Sequence, residues 1–217
     1  MPYFFVDKSN IEDGSLFIDG DDARHISRSL RMAVGDELSV ADGLGTVYSC
    51  ELTKIRDERC ELKIKESFIS EAESPVSVTL YMAYPKSDKL EQIIQKAAEL
   101  GAAKIIPFES SRCIKRPSED KAQKRLLRLN RIAREACGQC GRGSLATGGD
   151  TLSFKDVINE CKSYDLALFC YEGEGTVSLP MLLAEHKCAK RIAVIVGSEG
   201  GFSADEAKYA YDGGMIS

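Results

Sequence analysis

The sequence has 217 residues, of which 43% are hydrophobic and 29% charged, and its formal net charge is −5. These values describe an ordinary soluble globular protein of one or two domains. No apolar run approaches the ~18 residues of a membrane span, and the first residues lack the basic and apolar regions of a signal peptide, so we expect a cytoplasmic protein. Its eight cysteines have irregular spacing, and in a cytosolic chain we expect them to be reduced and buried.

The first 70 residues or so have the pattern of a β-domain with one short helix. Asp42-Gly43-Leu44-Gly45 is a clear hairpin signal between two apolar runs. Several short strands joined by tight turns predict a small barrel or sandwich. The strand candidates are Tyr3–Val6, Leu16–Ile18, Leu38–Ala41, Thr46–Ile55 and Arg59–Phe68.

The short helix of this region carries regularly spaced basic residues. Residues 21–31 predict a turn or two of helix, capped by an aspartate. His25, Arg28 and Arg31 recur three residues apart, which would place them on one face. A solvated basic face and a phosphate-contacting face are both compatible with this spacing.

A polar linker at residues 71–75 marks the expected domain boundary, and the pattern changes after it to strands that alternate with helices. This order predicts a parallel α/β sheet. Ser87 or Asp88 is expected to cap the first helix, and Gly101 to end it. The predicted strands are Val76–Tyr84, Lys104–Phe108, Leu166–Tyr171 and Ile192–Val196; the predicted helices are Leu90–Leu100, residues 118–137, Phe154–Lys162 and Pro180–His186.

Positive charge is concentrated in one part of the chain. Residues 112–142 contain ten Lys or Arg and three Asp or Glu, so the rest of the sequence has a net charge near −12. On the predicted long helix the basic residues lie within an arc of about 120°, with few acidic partners. This asymmetry predicts a local surface for a polyanion, although an ordinary surface helix is the competing interpretation. The residues concerned are Lys121, Lys124, Arg125, Arg128 and Arg131.

The most informative stretch lies near the end of the chain. Ile192–Val196 is a short apolar run, which predicts a buried parallel strand. It stops at Gly197–Phe202, and Ser203 then opens a polar helix. Ligands of open α/β sheets bind beyond the carboxyl ends of the strands, and glycine lets the backbone approach them closely. A strand–helix connection that needs glycine only for its tight geometry is the alternative.

Other residue patterns in the sequence argue against redox, zinc, dinucleotide and phosphate-loop chemistry. Cys137-Gly138-Gln139-Cys140 lies at the end of a helix, whereas a redox C-x-x-C precedes one, and no second cysteine pair completes a zinc site. We therefore predict no metal. The glycines match neither the dinucleotide fingerprint nor a phosphate loop. The acidic residues of Glu172–Glu174 suit a cationic or hydroxyl-bearing ligand, and S-adenosylmethionine is one such ligand.

Taken together, four motifs give the chain a family resemblance from its first residues to its last. It resembles the RsmE family, the bacterial uracil-N3 methyltransferases of 16S ribosomal RNA in the small subunit, which belong to the SPOUT (trefoil-knotted) class. The motifs are His25-Ile26-x-Arg28-x-Leu30-Arg31-x-x-x-Gly35; Lys96-Ala97-x-Glu99-Leu100-Gly101 with Pro107 and Ser111-Arg112; Arg134-Glu135-Ala136-x-x-Gln139-x-x-Arg142; and Val196-Gly197-Ser198-Glu199-Gly200-Gly201-Phe202-Ser203 followed by Glu206.

The resemblance implies an α+β protein of two domains. Residues 1–72 would form a PUA-like β-barrel that binds RNA, and residues 73–217 an α/β-knot methyltransferase domain. It also implies a homodimer that binds S-adenosylmethionine in the knot. Family members continue beyond the position of Ser217 with a strand, a loop and a helix, so we expect the C-terminal end of the knot to be missing. An RNA-binding module without cofactor binding is therefore the alternative function.

The resemblance also implies which residues form the site. Ser198 stands where the family usually has proline. Glu135 or Glu199 would accept the proton, while a helix ion pair with Arg131 or Arg128 is the competing interpretation of Glu135. Arg112, Arg134 and Arg142 would hold phosphate or stabilise negative charge on the base. The cofactor-binding residues would be Tyr171, Glu172, Gly197, Ser198, Glu199, Gly200 and Gly201. The RNA-binding residues would be His25, Arg28, Arg31, Arg112, Arg128, Arg131, Arg134, Gln139 and Arg142.

Overall fold

The chain folds into two compact units. The computed structural model describes residues 1–56, 58–87, 89–114 and 119–217. The first unit consists of Met1–Glu73 and Cys137–Leu145, and the second of Ser74–Ala136 and Ala146–Ser217. The predicted domain boundary after residue 72 stays a prediction. The pattern of the sequence did not predict that residues 137–145, here called the return segment, would pack with the first unit.

The first unit is built on a six-stranded sheet. Its strands are β1 (Tyr3–Phe5), β2 (Ile11–Glu12), β3 (Ser15–Asp19), β4 (Glu37–Ala41), β5 (Thr46–Arg56) and β6 (Arg59–Ile69), and its short helix is α1 (Gly20–Arg24). The order is β1-β4-β5-β6-β3-β2. β1 and β4 are parallel and the other neighbours antiparallel. All five strands expected from the sequence are present.

Alternating apolar residues of these strands form the core of the first unit. Leu38 and Val40 of β4 are fully buried, as are Cys60 and Leu62 of β6, while the residues between them are more exposed. The predicted hairpin at Asp42 is confirmed, since its carboxylate accepts hydrogen bonds from the N–H groups of residues 44 and 46. Two register shifts between β5 and β6 bend this long pair of strands, a feature that simple alternation did not predict.

The second unit contains the predicted parallel sheet. Its strands are β7 (Ser77–Ala83), β8 (Lys104–Glu109), β9 (Thr147–Gly148), β10 (Leu152–Ser153), β11 (Leu166–Cys170) and β12 (Arg191–Val196). The order is β10-β8-β7-β12-β11, and β9 also pairs with β8. Every pair is parallel. β12 therefore lies inside the sheet, which confirms the prediction from its β-branched run.

Helices connect these strands much as the sequence predicts. They are α2 (Lys89–Glu99), α3 (Ala122–Gln139), α4 (Phe154–Cys161), α5 (Leu179–Glu185) and α6 (Ala204–Asp212). Gly101 follows α2 with a φ of 98°, a backbone conformation that favours glycine. Asp88 and residue 118, where a cap and the start of the long helix were predicted, lie outside the described residues. The described part of that helix begins at Ala122 and ends two residues later than predicted.

A buried ion pair holds the return segment within the first unit. The Arg142 side chain is only 4% exposed, and its Nη2 lies 3.0 Å from Oε2 of Glu73. Glu73 also accepts a hydrogen bond from the Ser144 N–H at 2.9 Å, and the Tyr3 hydroxyl donates to the Arg142 carbonyl at 2.9 Å. Burial alone would raise the pKa of Glu73, but its bonds to Arg142 and Ser144 outweigh burial and lower that pKa.

Removing the partner of a buried charge destabilises a protein more than removing an exposed charge. Glu73→Ala leaves the Arg142 guanidinium without its carboxylate, and we expect the free energy of unfolding to fall by about 2–3 kcal/mol. Because folding lowers the pKa of Glu73, this stabilisation is present above the ordinary glutamate pKa and is lost as the pH falls. Urea denaturation at neutral pH and in acid measures both effects. Glu71→Ala, at an exposed position, should change stability by less than about 0.5 kcal/mol, and equal losses for the two variants would contradict this account.

Candidate functional site

A cleft in the second unit lies beyond the carboxyl ends of β8, β11 and β12. Its volume is ≈ 720 Å³, within the range of about 300–1,000 Å³ that is common for small-molecule sites. This edge of a parallel sheet is where ligands of α/β proteins bind. The lining residues come from three loops: Arg112; Cys170, Tyr171, Glu172 and Gly173; and Val196, Gly197, Ser198, Glu199, Gly200, Gly201 and Phe202.

The glycine loop, residues 197–202, makes one wall of the cleft, and its turn favours glycine at two positions, at one because of the limited space and at the other because of the backbone conformation. A Cβ on Gly197 would lie 3.0 Å from the Phe202 ring and 3.2 Å from the Gly201 backbone. Gly201 has a φ of 63°, and its N–H donates to the Ser198 carbonyl at 2.8 Å. The turn itself therefore favours glycine at both positions.

An aromatic cluster packs against Phe202 at the end of the glycine loop. Phe202 is 2% exposed, and its ring centroid lies 4.4 Å from that of Phe169, 5.7 Å from Phe154 and 6.4 Å from Phe108. Fully burying one such ring contributes roughly 1.5–3 kcal/mol. The apolar residue at the end of the loop thus fixes the loop against the sheet.

Glu199 ties the glycine loop to the beginning of α2. Its carboxylate accepts hydrogen bonds from the Lys86 N–H at 3.1 Å and from the Lys89 Nζ at 3.0 Å. Its own backbone N–H contributes most to its ionisation, and together with the bonds to Lys89 and Lys86 it lowers the pKa of Glu199 to about 2. A carboxylate with this pKa remains ionised and is a weak base at neutral pH.

Glu206 ties the same loop to the turn after β8. It completes a capping box with Ser203 at the start of α6, and it also accepts hydrogen bonds from the Ser111 N–H and hydroxyl, both at 2.7 Å. The next residue, Arg112, donates from Nη1 to the Gly200 carbonyl at 2.8 Å. The S-x-x-E spacing from Ser203 to Glu206 indicates the helix cap, but no local sequence pattern indicates the bonds between Glu206 and Ser111.

The opposite wall of the cleft follows β11. The Tyr171 ring stacks on Phe169 at 5.8 Å between centroids and occupies the space where a Cβ on Gly173 would lie. Glu172 is exposed, and so is Cys170. The expectation that all cysteines are buried is wrong for three of them, Cys140, Cys170 and Cys188, which are exposed. Cys170 is exposed because β11 ends there at the cleft. The structure shows all eight cysteines as thiols.

The structure brings the seven predicted cofactor-binding residues together, but it does not bring the remaining predicted residues to the cleft, apart from Arg112. Glu135 is exposed and lies 3.6 Å from Arg131, which is the ion pair that the sequence left open as an alternative. Arg128 pairs with Glu91 at 2.8 Å. Arg142 is buried against Glu73. Among the others, Arg134 is half-buried and Gln139 is exposed.

The predicted basic face of the first unit has a different geometry from the one expected. His25, Arg28 and Arg31 are exposed. However, residues 25–29 form a π-helical turn rather than an α-helix, and Arg31 lies beyond it with a φ of 51°. The prediction that α-helical spacing places these three side chains on one face is therefore wrong, because a π-turn holds more residues per turn than an α-helix.

Neither a metal-binding cluster nor a membrane-spanning helix is found in the described part of the chain. Within residues 1–56, 58–87, 89–114 and 119–217, no group of three or more His, Cys, Asp or Glu residues could hold a metal ion. The same residues include no helix that is both long and apolar enough to cross a membrane. Cys137 is buried and Cys140 exposed, and both lie at the C-terminal end of α3 as predicted.

Comparisons with known proteins agree on one family. Residues 72–217 match the RNA methyltransferase domain family, and residues 18–65 match the RNA methyltransferase PUA domain. A ribosomal RNA small subunit methyltransferase E from Bacillus subtilis is 29% identical over 215 residues, which cover 96% of this chain and 84% of the relative. Its namesake from Synechocystis is 30% identical over 86% of this chain and 60% of its own length.

A solved structure supports the same family at the level of the fold. The crystal structure of a ribosomal RNA small subunit methyltransferase E from Neisseria gonorrhoeae, bound to S-adenosyl methionine, superposes with a TM-score of 0.86 at 26% identity. The match covers 100% of this chain and 87% of that one. The chain thus has a PUA-like domain followed by a methyltransferase domain, which confirms the two-domain fold class at this level.

The contact between Lys89 and Glu199 can be tested by titration. Lys89→Met removes the ammonium but leaves the backbone donors, so we expect the pKa of Glu199 to rise from about 2 toward its ordinary value. Since folding lowers this pKa, the contact stabilises the loop above the ordinary glutamate pKa and is lost as the pH falls through about 2. The Glu199 carboxyl carbon, followed by NMR against pH, reports the midpoint.

The matched control for this titration is Lys86→Met. Lys86 contributes its backbone N–H rather than its side chain, so this variant should leave the midpoint of Glu199 unchanged. A midpoint that moves equally in both variants, or in neither, would show that the Lys89 ammonium does not hold the loop.

Proposed function

The chain belongs to the RNA methyltransferase family, and on that premise we propose that it transfers the methyl group of S-adenosylmethionine to N3 of a uridine in 16S ribosomal RNA. The observation that supports this most directly is the cleft beside the glycine loop, which combines the predicted cofactor residues at one edge of the parallel sheet. A module that only binds RNA is not favoured, because it would have no need of such a cleft. The relatives named above are ribosomal RNA methyltransferases.

The residues of the cleft fit S-adenosylmethionine. The volume of ≈ 720 Å³ admits a nucleoside with an amino-acid tail. The glycine loop exposes backbone N–H and carbonyl groups that can bind polar edges, and Tyr171 supplies an aromatic surface. We propose that Tyr171, Glu172 and residues 197–201 hold this cofactor, which when bound supplies an electrophilic methyl group.

Arg112 is the residue best placed to act on the base. Uracil N3 becomes nucleophilic only when its proton leaves, and the negative charge that develops then needs stabilisation. The Arg112 guanidinium lies in the cleft and is oriented by its bond to the Gly200 carbonyl. Because N3 is on the pairing edge, the uridine must enter the cleft unpaired.

The other predicted catalytic residues receive more limited roles. Glu199 acts in this proposal as the anchor of the loop, because its carboxylate is held by Lys86 and Lys89 and its pKa is about 2. Glu135 as proton acceptor stays a prediction, and so does Arg142 at the RNA. Their observed partners, Arg131 and Glu73, account for their charges within the described structure.

Residues outside the cleft, most of them basic, would bind the phosphates of the RNA. Salt-sensitive contacts of this kind supply most non-specific affinity for nucleic acids. We propose that the first domain contributes His25, Arg28 and Arg31, and that α3 with the segment after it contributes Arg128, Arg131, Arg134, Gln139 and Arg142. The trefoil knot, the homodimer and the cytoplasmic location, where ribosomes would supply the substrate, belong to the same proposal.

A methylation assay with two variants tests the proposed function. The protein should bind S-adenosylmethionine in calorimetry and transfer its labelled methyl group to 16S ribosomal RNA, giving 3-methyluridine on digestion and mass spectrometry. Arg112→Ala should lower kcat by about 100-fold, since it removes charge stabilisation, and should change the Kd of the cofactor by less than about threefold. Arg56→Ala, at an exposed position of the first unit, is the matched control and should leave both values unchanged.

Three outcomes would contradict the proposal at different points. No cofactor binding with RNA binding retained would support the RNA-binding module instead. A methylated atom other than N3 would refute the reaction as stated. Equal losses of kcat and of cofactor affinity in Arg112→Ala would place Arg112 on the cofactor rather than on the base.

A further inference from the structure

Glu206 makes more hydrogen bonds than a helix cap requires. The residue is 9% exposed, and its two carboxylate oxygens accept four hydrogen bonds, from the N–H and hydroxyl groups of Ser203 and of Ser111. The Ser203 bonds close the capping box of α6. The Ser111 bonds are the shorter ones, at 2.7 Å, and reach a residue 95 positions earlier in the chain.

The cap of α4 in the same unit shows what capping alone looks like. There Ser153 accepts from the Asp156 N–H at 3.2 Å and donates to Asp156 Oδ2 at 2.6 Å, and both contacts are exposed and local. A cap therefore needs neither burial nor a distant partner. The additional bonds of Glu206 must be explained by what Ser111 holds in place.

Ser111 directly precedes Arg112, the arginine that lines the cleft among the residues that the structure describes. Arg112 bonds to the Gly200 carbonyl at 2.8 Å, and its Cβ lies 3.2 Å from the position that a Cβ on Gly200 would occupy. The Arg112 carbonyl also accepts a hydrogen bond from the Ser198 hydroxyl of the glycine loop at 3.5 Å, so the backbone of Arg112 lies between this contact and Ser111. A long side chain loses much rotational freedom when it is held in one geometry. A fixed backbone reduces the number of orientations open to the Arg112 guanidinium and favours the one that enters the cleft.

We propose that Glu206 is a positioning residue for methyl transfer, which acts through Ser111 to set the Arg112 guanidinium against the glycine loop. This inference rests on the proposed function for its catalytic consequence, but the mechanical link exists in the protein without cofactor or RNA. Glu206 touches neither reactant, because its carboxylate is enclosed by the two serines. Its negative charge strengthens all four bonds, since hydrogen bonds to an ionised group are the stronger kind.

Amide hydrogen exchange on the protein without ligands tests the link itself. Glu206→Gln offers one oxygen in place of two, and we expect the Ser111 amide to exchange at least about tenfold faster. Ser203→Ala disrupts the cap of α6 but leaves both Ser111 bonds, so the same amide should change by less than about twofold. Asp156→Asn, at the cap of α4, should leave it unchanged. Equal acceleration in Glu206→Gln and Ser203→Ala would show that Glu206 is a helix cap and nothing more.

A double-mutant cycle on methyl transfer tests the consequence. We expect Glu206→Gln to lower kcat about tenfold with little change in the KM for RNA, and to cost less than about twofold further when Arg112 is already alanine, because coupled residues are not additive. Losses that multiply fully would overturn the proposal. Absence of methyl transfer by the unmodified protein would refute the proposed function, while hydrogen exchange would still decide the role of Glu206.

A second variant covers the case in which Glu206→Gln does not fold. Ser111→Ala removes one of the two Ser111 bonds and leaves the cap of α6 intact, so its fold is not in question. It should lower kcat about threefold at an unchanged Kd for the cofactor. An unchanged kcat would contradict the link between Ser111 and Arg112.

Discussion

The burial of Phe202 is the constraint on which the cleft depends. Phe202 is 2% exposed, and its ring centroid lies 4.4 Å from that of Phe169. This packing holds the end of the glycine loop against the sheet. The loop must then reverse within a few residues between Val196 and Phe202. That reversal would bring a Cβ at Gly197 to 3.0 Å from the Phe202 ring and gives Gly201 its positive φ. The chemical surface of the cleft is thus a consequence of where one apolar ring packs.

Two carboxylates then fix the loop from its sides. Glu199 accepts hydrogen bonds from Lys86, which precedes α2, and from Lys89, the first residue of α2. Glu206 accepts hydrogen bonds from Ser111 in the turn after β8. Burial would raise the pKa of Glu206, but its four hydrogen bonds outweigh burial and lower it. Both groups therefore remain ionised at neutral pH. A site held in this way is organised before its ligand binds, which reduces the entropy lost on binding.

The features that local sequence determines could be predicted, and the features that join distant parts of the chain could not. The strand at residues 192–196, the helix start at Ser203 and the end of α2 at Gly101 follow from apolar periodicity, capping and glycine geometry within a few residues. The bonds of Glu199 to Lys89 and of Glu206 to Ser111 span 110 and 95 positions, and no spacing rule points to them. Likewise, nothing local indicates that residues 137–145 pack with the first unit through Arg142 and Glu73. The π-helical turn at residues 25–29 was missed because the spacing argument assumed an α-helix.

The cofactor assignment came from the family resemblance rather than from any single motif, since each motif alone fits several structures. Its most direct test is the response of backbone amide NMR signals to S-adenosylmethionine. If the cleft binds the cofactor, the largest shifts on titration will be those of Gly197, Gly200 and Gly201, followed by those of Tyr171 and Gly173. Largest shifts in residues 25–31 or along α3, with the glycine loop unaffected, would contradict the account.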